Sequence, residues 1–288
     1  MNRARPTTGV LLITGIVLAA LTEAIASTVL ALGRGDIIGD TYATPDEFAW
    51  LDVGYIALKL IGFMTAPWLM QRFSARNVLI GATLVMGLAC CMAAVTDSLE
   101  LLIALRILQG FAGGALLVAG QALIFRGYPR ALQPILQALF AMAAVVASAT
   151  LAPALQGWLI DSQSWAWIFF SVVPLALAAT GLLLIAEYPM AARVRQRRFD
   201  WLGFSLICAT LFCFTYVLSQ GSRWDWFEES RILWLTMLGV AALFYTLLLA
   251  YAAFTLTPTA IVLAIARRRA EPLLRLAAIA ALSTAIAL

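Results

Sequence analysis

The chain has 288 residues, 63% of them apolar and 12% charged, with a formal net charge of +4 and a mean hydropathy of +0.95. Ordinary globular domains carry roughly 25% charged residues, so a water-soluble fold is excluded. The arginines are dispersed among apolar runs, with no basic stripe interleaved with aromatics, which excludes a nucleic-acid-binding surface.

A membrane crossing needs about 20 mainly apolar residues, and eight segments qualify: 8–32, 48–70, 77–96, 99–125, 134–160, 165–186, 201–219 and 231–256. The first is too long for the apolar core of a signal peptide, and no small-residue cleavage site interrupts it. Glu23 lies in it, about 22 Å from its start if helical and past the bilayer midplane. Burial disfavours the charged form of a carboxyl, so Glu23 is either a proton carrier or one end of a structural bond that never titrates. In the second segment Asp52 and Lys59 are seven residues apart on one helical face, as a structural pair or as cavity lining.

The fourth segment carries Arg106 about 9 Å inward from Glu100 at its outer end. A side chain of that length can snorkel to the head groups. Against this, Arg106, Gln109, Gly110, Gly113, Gly114, Leu117 and Gln121 share one broad face by helical spacing. Gly110 and Gly114 form a G-x-x-x-G, which admits a neighbouring helix at short range. A polar face with small residues points into a bundle, and a charge there is functional by default. In the fifth segment Pro153 lacks an N–H and Gly157 a side chain, so the spacing predicts a bend and tight packing there.

Ile232 to Ala266 is uncharged for longer than a bilayer requires, which predicts a break near Thr257-Pro258 and an interfacial piece before Arg267. A ninth apolar stretch, 273–288, is too short for a full crossing. Cys90, Cys91, Cys208 and Cys213 all lie inside apolar runs without metal-ligand spacing, and histidine is absent; no metal or cofactor is expected. No H-E-x-x-H, G-x-S-x-G or paired intramembrane aspartates occur, so an enzyme is not expected.

The loops alternate in charge. Arg3, Arg5, Arg72, Arg76, Arg126, Arg130, Arg193, Arg195, Arg197, Arg198 and Arg267 to Arg269 fall on one side, and the acidic residues dominate the other. The positive-inside rule therefore predicts a cytoplasmic N-terminus. Trp50, Trp158, Trp165, Trp167, Trp224, Trp226 and Trp234 sit at the predicted outer boundaries, where amphipathic rings collect.

Several stretches carry a family resemblance, in order and with matching spacing. RILQGFAGG resembles the R-x-x-Q-G-x-x-x-G element on helix 4 of the major facilitator superfamily. SATLAPALQGWLIDSQSWAWIFFSVVPLALAA resembles its helix 5 antiporter motif and the start of helix 6. FDWLGF and LSQGSRWDWFEESRI resemble linker helices 7 and 8 of the fourteen-helix drug:proton antiporter branch, the EmrB-like multidrug efflux proteins. The resemblance covers about residues 10 to 250.

Three departures stand out. In APWLMQRFSARN, the loop between helices 2 and 3, Ala66, Gln71 and Ser74 replace the family's Gly, Asp and second Gly, while Arg72 and Arg76 remain. Without that carboxylate the latch between the two halves is in doubt. Ala166 replaces the arginine of W-R-W. Glu23 stands where helix 1 usually has an aspartate, and no proline follows at the GRGDIIGD stretch.

The resemblance implies an all-α polytopic membrane protein: a six-helix N-terminal bundle (1–190), a basic loop with linker helices 7 and 8 (191–256), and an atypical tail (257–288). It implies proton-coupled export of amphipathic small molecules across the inner membrane by alternating access. In that scheme helices 1 and 4 stand side by side, Glu23 and Arg106 meet as a proton and charge relay, and Pro153 and Gly157 seal the cavity. A periplasmic adaptor protein and an outer-membrane channel are the implied partners besides the lipid bilayer. Superfamily transporters place two bundles around a central site, and no second bundle is legible after Tyr251. A frameshifted, internally deleted or partial coding sequence explains this better than a purposeful half-transporter. The alternative function is a non-transporting membrane fragment or accessory subunit.

Overall fold

The computed structural model describes residues 6–188 and 200–269. The arginines at 193–198 and the ninth apolar stretch, 273–288, lie outside the described residues. Among the described residues every regular element is helical, and eight helical segments are long and apolar enough to cross a membrane, at the expected places. Helix satisfies each backbone polar group within its own segment, which hydrocarbon requires.

The chain divides into two compact units between Phe199 and Asp200. In the first, α1 (Pro6–Thr41) is followed by α2 (Pro45–Phe73), α3 (Ala75–Ala93) and α4 (Leu99–Gly127). The fifth crossing is segmented into α5 (Gln133–Ala141), a π-helical turn (Met142–Val146), α6 (Ala147–Ala149) and α7 (Leu151–Ser162). α8 (Ala166–Ile185) completes the unit. α4 packs against α2 and α3 and touches α1, while α8 closes against α1 and α3. Short connections between neighbours set this up-and-down arrangement.

Local chemistry sets several boundaries. Thr44 caps α2 reciprocally: its hydroxyl accepts from the Glu47 N–H at 3.3 Å and its own N–H donates to Glu47 Oε2 at 2.9 Å, with Pro45 in the first turn. Ser98 and Asp200 cap α4 and α9 (Trp201–Gln220) from their side chains. The α2–α3 turn passes through Ser74 at φ 70°, in the left-handed region that glycine enters freely. Ser74 is a position where the family pattern has glycine.

Beyond its candidate span, Gly9–Ala31, α1 runs on as helix through GRGDIIGD to Thr41; Asp40 at its far end accepts from the Trp165 indole at 2.6 Å, which anchors the extension. In the second unit α10 (Ser230–Arg269) packs on α9. It passes through Thr257-Pro258 without the expected break and is about 60 Å long. A proline removes one helical bond, and the bonds on either side carry the helix across it.

Candidate functional site

The G-x-x-x-G of α4 is what lets the site form. A Cβ on Gly110 would stand 2.2 Å from the Tyr55 carbonyl oxygen of α2, and one on Gly114 2.2 Å from that of Lys59. Gly62 answers from α2: a Cβ there would lie 2.5 Å from the Phe111 oxygen. Backbone therefore meets backbone along the α2–α4 seam, as the small residues predict. Gly113, one face over, leaves room for Glu23, whose Cγ would sit 3.0 Å from an added Cβ.

Into this seam project the charged groups. Glu23, 1% exposed, pairs through Oε1 with Lys59 Nζ at 2.5 Å and accepts from the Tyr55 hydroxyl at 2.9 Å. Arg106 is fully buried, so it does not snorkel. Its guanidinium lies over the Tyr55 ring, 4.0 Å from the centroid. Nη1 donates to the Ala26 carbonyl of α1 at 2.9 Å and to Gln109 Oε1 at 3.0 Å. One tyrosine thus joins the two charged groups, hydroxyl on the carboxylate and ring face under the guanidinium. A cation over an aromatic face is stabilised by the ring quadrupole, most strongly when dry.

The structure changes the expected pairings. Glu23 and Arg106 both reach the seam, but Glu23 takes its ion pair from Lys59, with Tyr55 between it and Arg106. Lys59 pairs with Glu23, not with Asp52; Asp52 is half-buried on the same helix, within electrostatic range of Arg106 and Arg34. Gln121 is exposed and outside the cluster, because about two further turns of α4 beyond Gly114 carry that face past the end of the seam. Gly157 does not pack tightly, since a Cβ there would meet nothing within 4 Å. The irregularity of the fifth crossing falls before Pro153, at the π turn and at Thr150 (φ −125°, ψ −64°). The proline ring excludes the carbonyl four residues back, at Ala149, so the distortion appears N-terminal to the proline.

Two residues of the site were not singled out from the sequence. Tyr55 is one of many aromatics in apolar runs and had no distinguishing signal. Gln156 had one, as a glutamine between the two marked residues of α7. It is fully buried and donates through Nε2 to the Ile25 carbonyl and the Thr28 hydroxyl, both at 2.9 Å, clamping α7 onto α1 two residues beyond Glu23.

Of the loop arginines, Arg72 is exposed in the last turn of α2. Arg76 donates to the Leu184 carbonyl at 2.9 Å and lies 4.4 Å above the Tyr188 ring. It thereby caps the C-terminal end of α8, where a cation is favoured by the helix dipole. Tyr188 donates to Leu183 O at 3.0 Å. Burial pushes its phenol up to about 12, against the opposing effect of Arg76. At the same end the Tyr128 hydroxyl donates to the Gly9 carbonyl, tying α4 to the start of α1.

Membrane-length helices packed around a buried carboxylate–lysine pair and a buried guanidinium define a polytopic helical membrane bundle with charge in its interior. The chain belongs to the Major Facilitator Superfamily, whose sequence profile matches residues 12–288. That match runs beyond Tyr251, where the motif-level likeness stops. Among curated proteins it is 27% identical over 246 residues to the multidrug export protein EmrB of Escherichia coli K12, covering 84% of this chain and 48% of that protein. To the fatty acid resistance protein FarB of Neisseria gonorrhoeae it is 26% identical over 229 residues, covering 79% and 45%. The chain thus spans about half the length of these relatives. Solved structures of the same fold include the POT family transporter PepTSo (TM-score 0.59, 12% identity, 76% of this chain and 52% of that one). The Escherichia coli xylose transporter XylE in its inward-open form is another (TM-score 0.51, 17% identity, 63% and 47%).

Proposed function

We propose that this chain forms the N-terminal bundle and linker helices of a proton-coupled exporter of amphipathic small molecules, working by alternating access across the inner membrane. The Glu23–Lys59 pair in the seam of α1, α2 and α4 carries the reading. An ionised carboxylate at that depth is tolerable with a cation beside it. A proton arriving on Glu23 removes the attraction that holds Lys59, and with it one tie between α1 and α2. Deprotonation restores that tie. Tyr55 transmits the change to Arg106, since its hydroxyl serves Glu23 and its ring serves the guanidinium. Protonation and the packing of three helices are thereby coupled through a single residue. Lys59 joins Glu23 and Arg106 in the relay.

The multidrug export and fatty acid resistance relatives support amphipathic cargo. The arginine-rich loops support a cytoplasmic N-terminus. A periplasmic adaptor and an outer-membrane channel are the further partners that the branch resemblance supports.

The test uses everted membrane vesicles from cells expressing the gene with its native flanking sequence. Accumulation of an amphipathic dye is expected to collapse when a protonophore is added, and to be absent in Glu23→Gln. Accumulation indifferent to both overturns the proposal.

A further inference from the structure

The seam leaves one charge without an ionic partner. Glu23 is satisfied by Lys59 and Tyr55. Arg106 spends only Nη1 on Ala26 and Gln109, and no carboxylate among the described residues forms an ion pair with it. Its Nε and Nη2 are buried with no hydrogen-bond partner, and so is Nε2 of Gln109. An unpaired cation in a low-dielectric interior is among the most costly burials a protein makes. The two orphaned guanidinium nitrogens are the ones whose N–H bonds run side by side. Together they form the fork that matches two oxygens of one carboxylate. Asp52 and Glu23 act on this charge only from beyond ion-pair distance, and water would satisfy the hydrogen bonds without adding an ionic partner.

We propose that the Nε–Nη2 edge of Arg106 is a subsite for the carboxylate or equivalent two-oxygen anionic head of an amphipathic ligand, with the unpartnered Gln109 Nε2 as a further donor. The site offers donors only, so it selects an acceptor-only group; an amide or ammonium head brings its own N–H bonds against the same donors. Gln109 is oriented for this by its own Oε1, which is held on Arg106 Nη1 and so leaves its nitrogen to the ligand. The apolar residues around the seam receive the tail. Arg106 is closed off in the conformation seen, so the head group enters when the helices part. That this ligand is cargo rests on the transporter reading above; the subsite itself does not.

The test measures equilibrium dialysis of radiolabelled 1-naphthoate, against its neutral isostere 1-naphthamide, with the purified full chain in uncharged detergent micelles and empty micelles subtracted. Wild-type protein is expected to bind naphthoate saturably and about tenfold or more tightly than naphthamide, the scale of a charged hydrogen bond. Arg106→Lys keeps the charge but loses the fork, and is expected to erase most of that preference; Gln109→Leu should lower it by a smaller factor. Equal binding of the two probes by wild-type protein, or a preference unchanged in both Arg106→Lys and Gln109→Leu, overturns the subsite. If Arg106→Lys does not fold, the wild-type pair and Gln109→Leu still decide. The outcomes separate the two proposals. Carboxylate selectivity without proton-coupled transport overturns the function and leaves the subsite standing, and coupled transport with no carboxylate preference does the reverse.

Discussion

The α2–α4 seam and the fifth crossing use the same small residue in opposite ways. At Gly110 and Gly114 the missing side chain is the space that the facing helix occupies, whereas around Gly157 there is open space. In the central window of α4, 56% of the residues are buried, against 17% in the fifth crossing. The first region is a tightly packed holder for charge. The second is a segmented helix, interrupted by a π turn and an irregular residue at Thr150, and tied to α1 through Gln156. On the transport reading proposed above, a close-packed seam beside a segmented helix lets the bundle move without losing its buried ions.

The largest effect expected from breaking this contrast is at the seam. Gly114→Ala places a Cβ against a backbone carbonyl that has no side-chain freedom to yield, so α2 and α4 must separate; a loss of about 3 kcal/mol or more is expected. The readout is the monodisperse fraction and thermal midpoint in detergent, and a midpoint within a degree or two of wild type would contradict the backbone contact.

Next comes the ion pair. Glu23→Gln or Lys59→Met alone leaves a charge in the seam and should cost about 3 kcal/mol, while the double variant should cost less than the sum. The coupling of Glu23 with Arg106, which Tyr55 only bridges, is expected to be smaller. A larger coupling for Glu23 with Arg106 would restore the direct pair that the family resemblance implies.

Gln156→Leu tests the tie between the two regions. It removes two buried hydrogen bonds, and about 1–2 kcal/mol is the expected loss. Hydrogen exchange should rise in α7 but not in α4; a uniform rise across both would show that the fifth crossing is not an independent joint.

At the basic end, Tyr188 gives a pH signature. Its phenol is raised in the folded state above the ordinary value of 10.0, to about 12. Between those values the unfolded chain releases a proton that the native one keeps, so stability is intact below pH 10 and declines as pH rises toward 12. Tyr188→Phe should flatten that decline slightly, measured by thermal midpoint against pH.

The smallest effect is at Gly157→Ala. With nothing for the added methyl to meet, helix propensity alone acts, and a gain of about 0.5 kcal/mol is expected. A clear loss would mean that α7 is covered in the working protein by something that reaches this face.

Hydropathy was sufficient for the eight candidate spans, because hydrocarbon leaves an apolar run of about 20 residues no better choice than helix. The spacing of Arg106, Gln109, Gly110 and Gly114 likewise predicts a polar, close-packed face, since helical periodicity is a local property. Partner choice is not local. Glu23, Lys59, Asp52 and Arg106 offer several pairings at similar depth, and the selection of Lys59 for Glu23, with Tyr55 linking both to Arg106, depends on how closely α2 and α4 approach. That approach is set by glycines on two helices at once. For the same reason Gly157, which reads in the sequence as a packing residue, turned out to face open space. A glycine reports only that close approach is allowed, and whether a neighbour comes is decided by the tertiary structure.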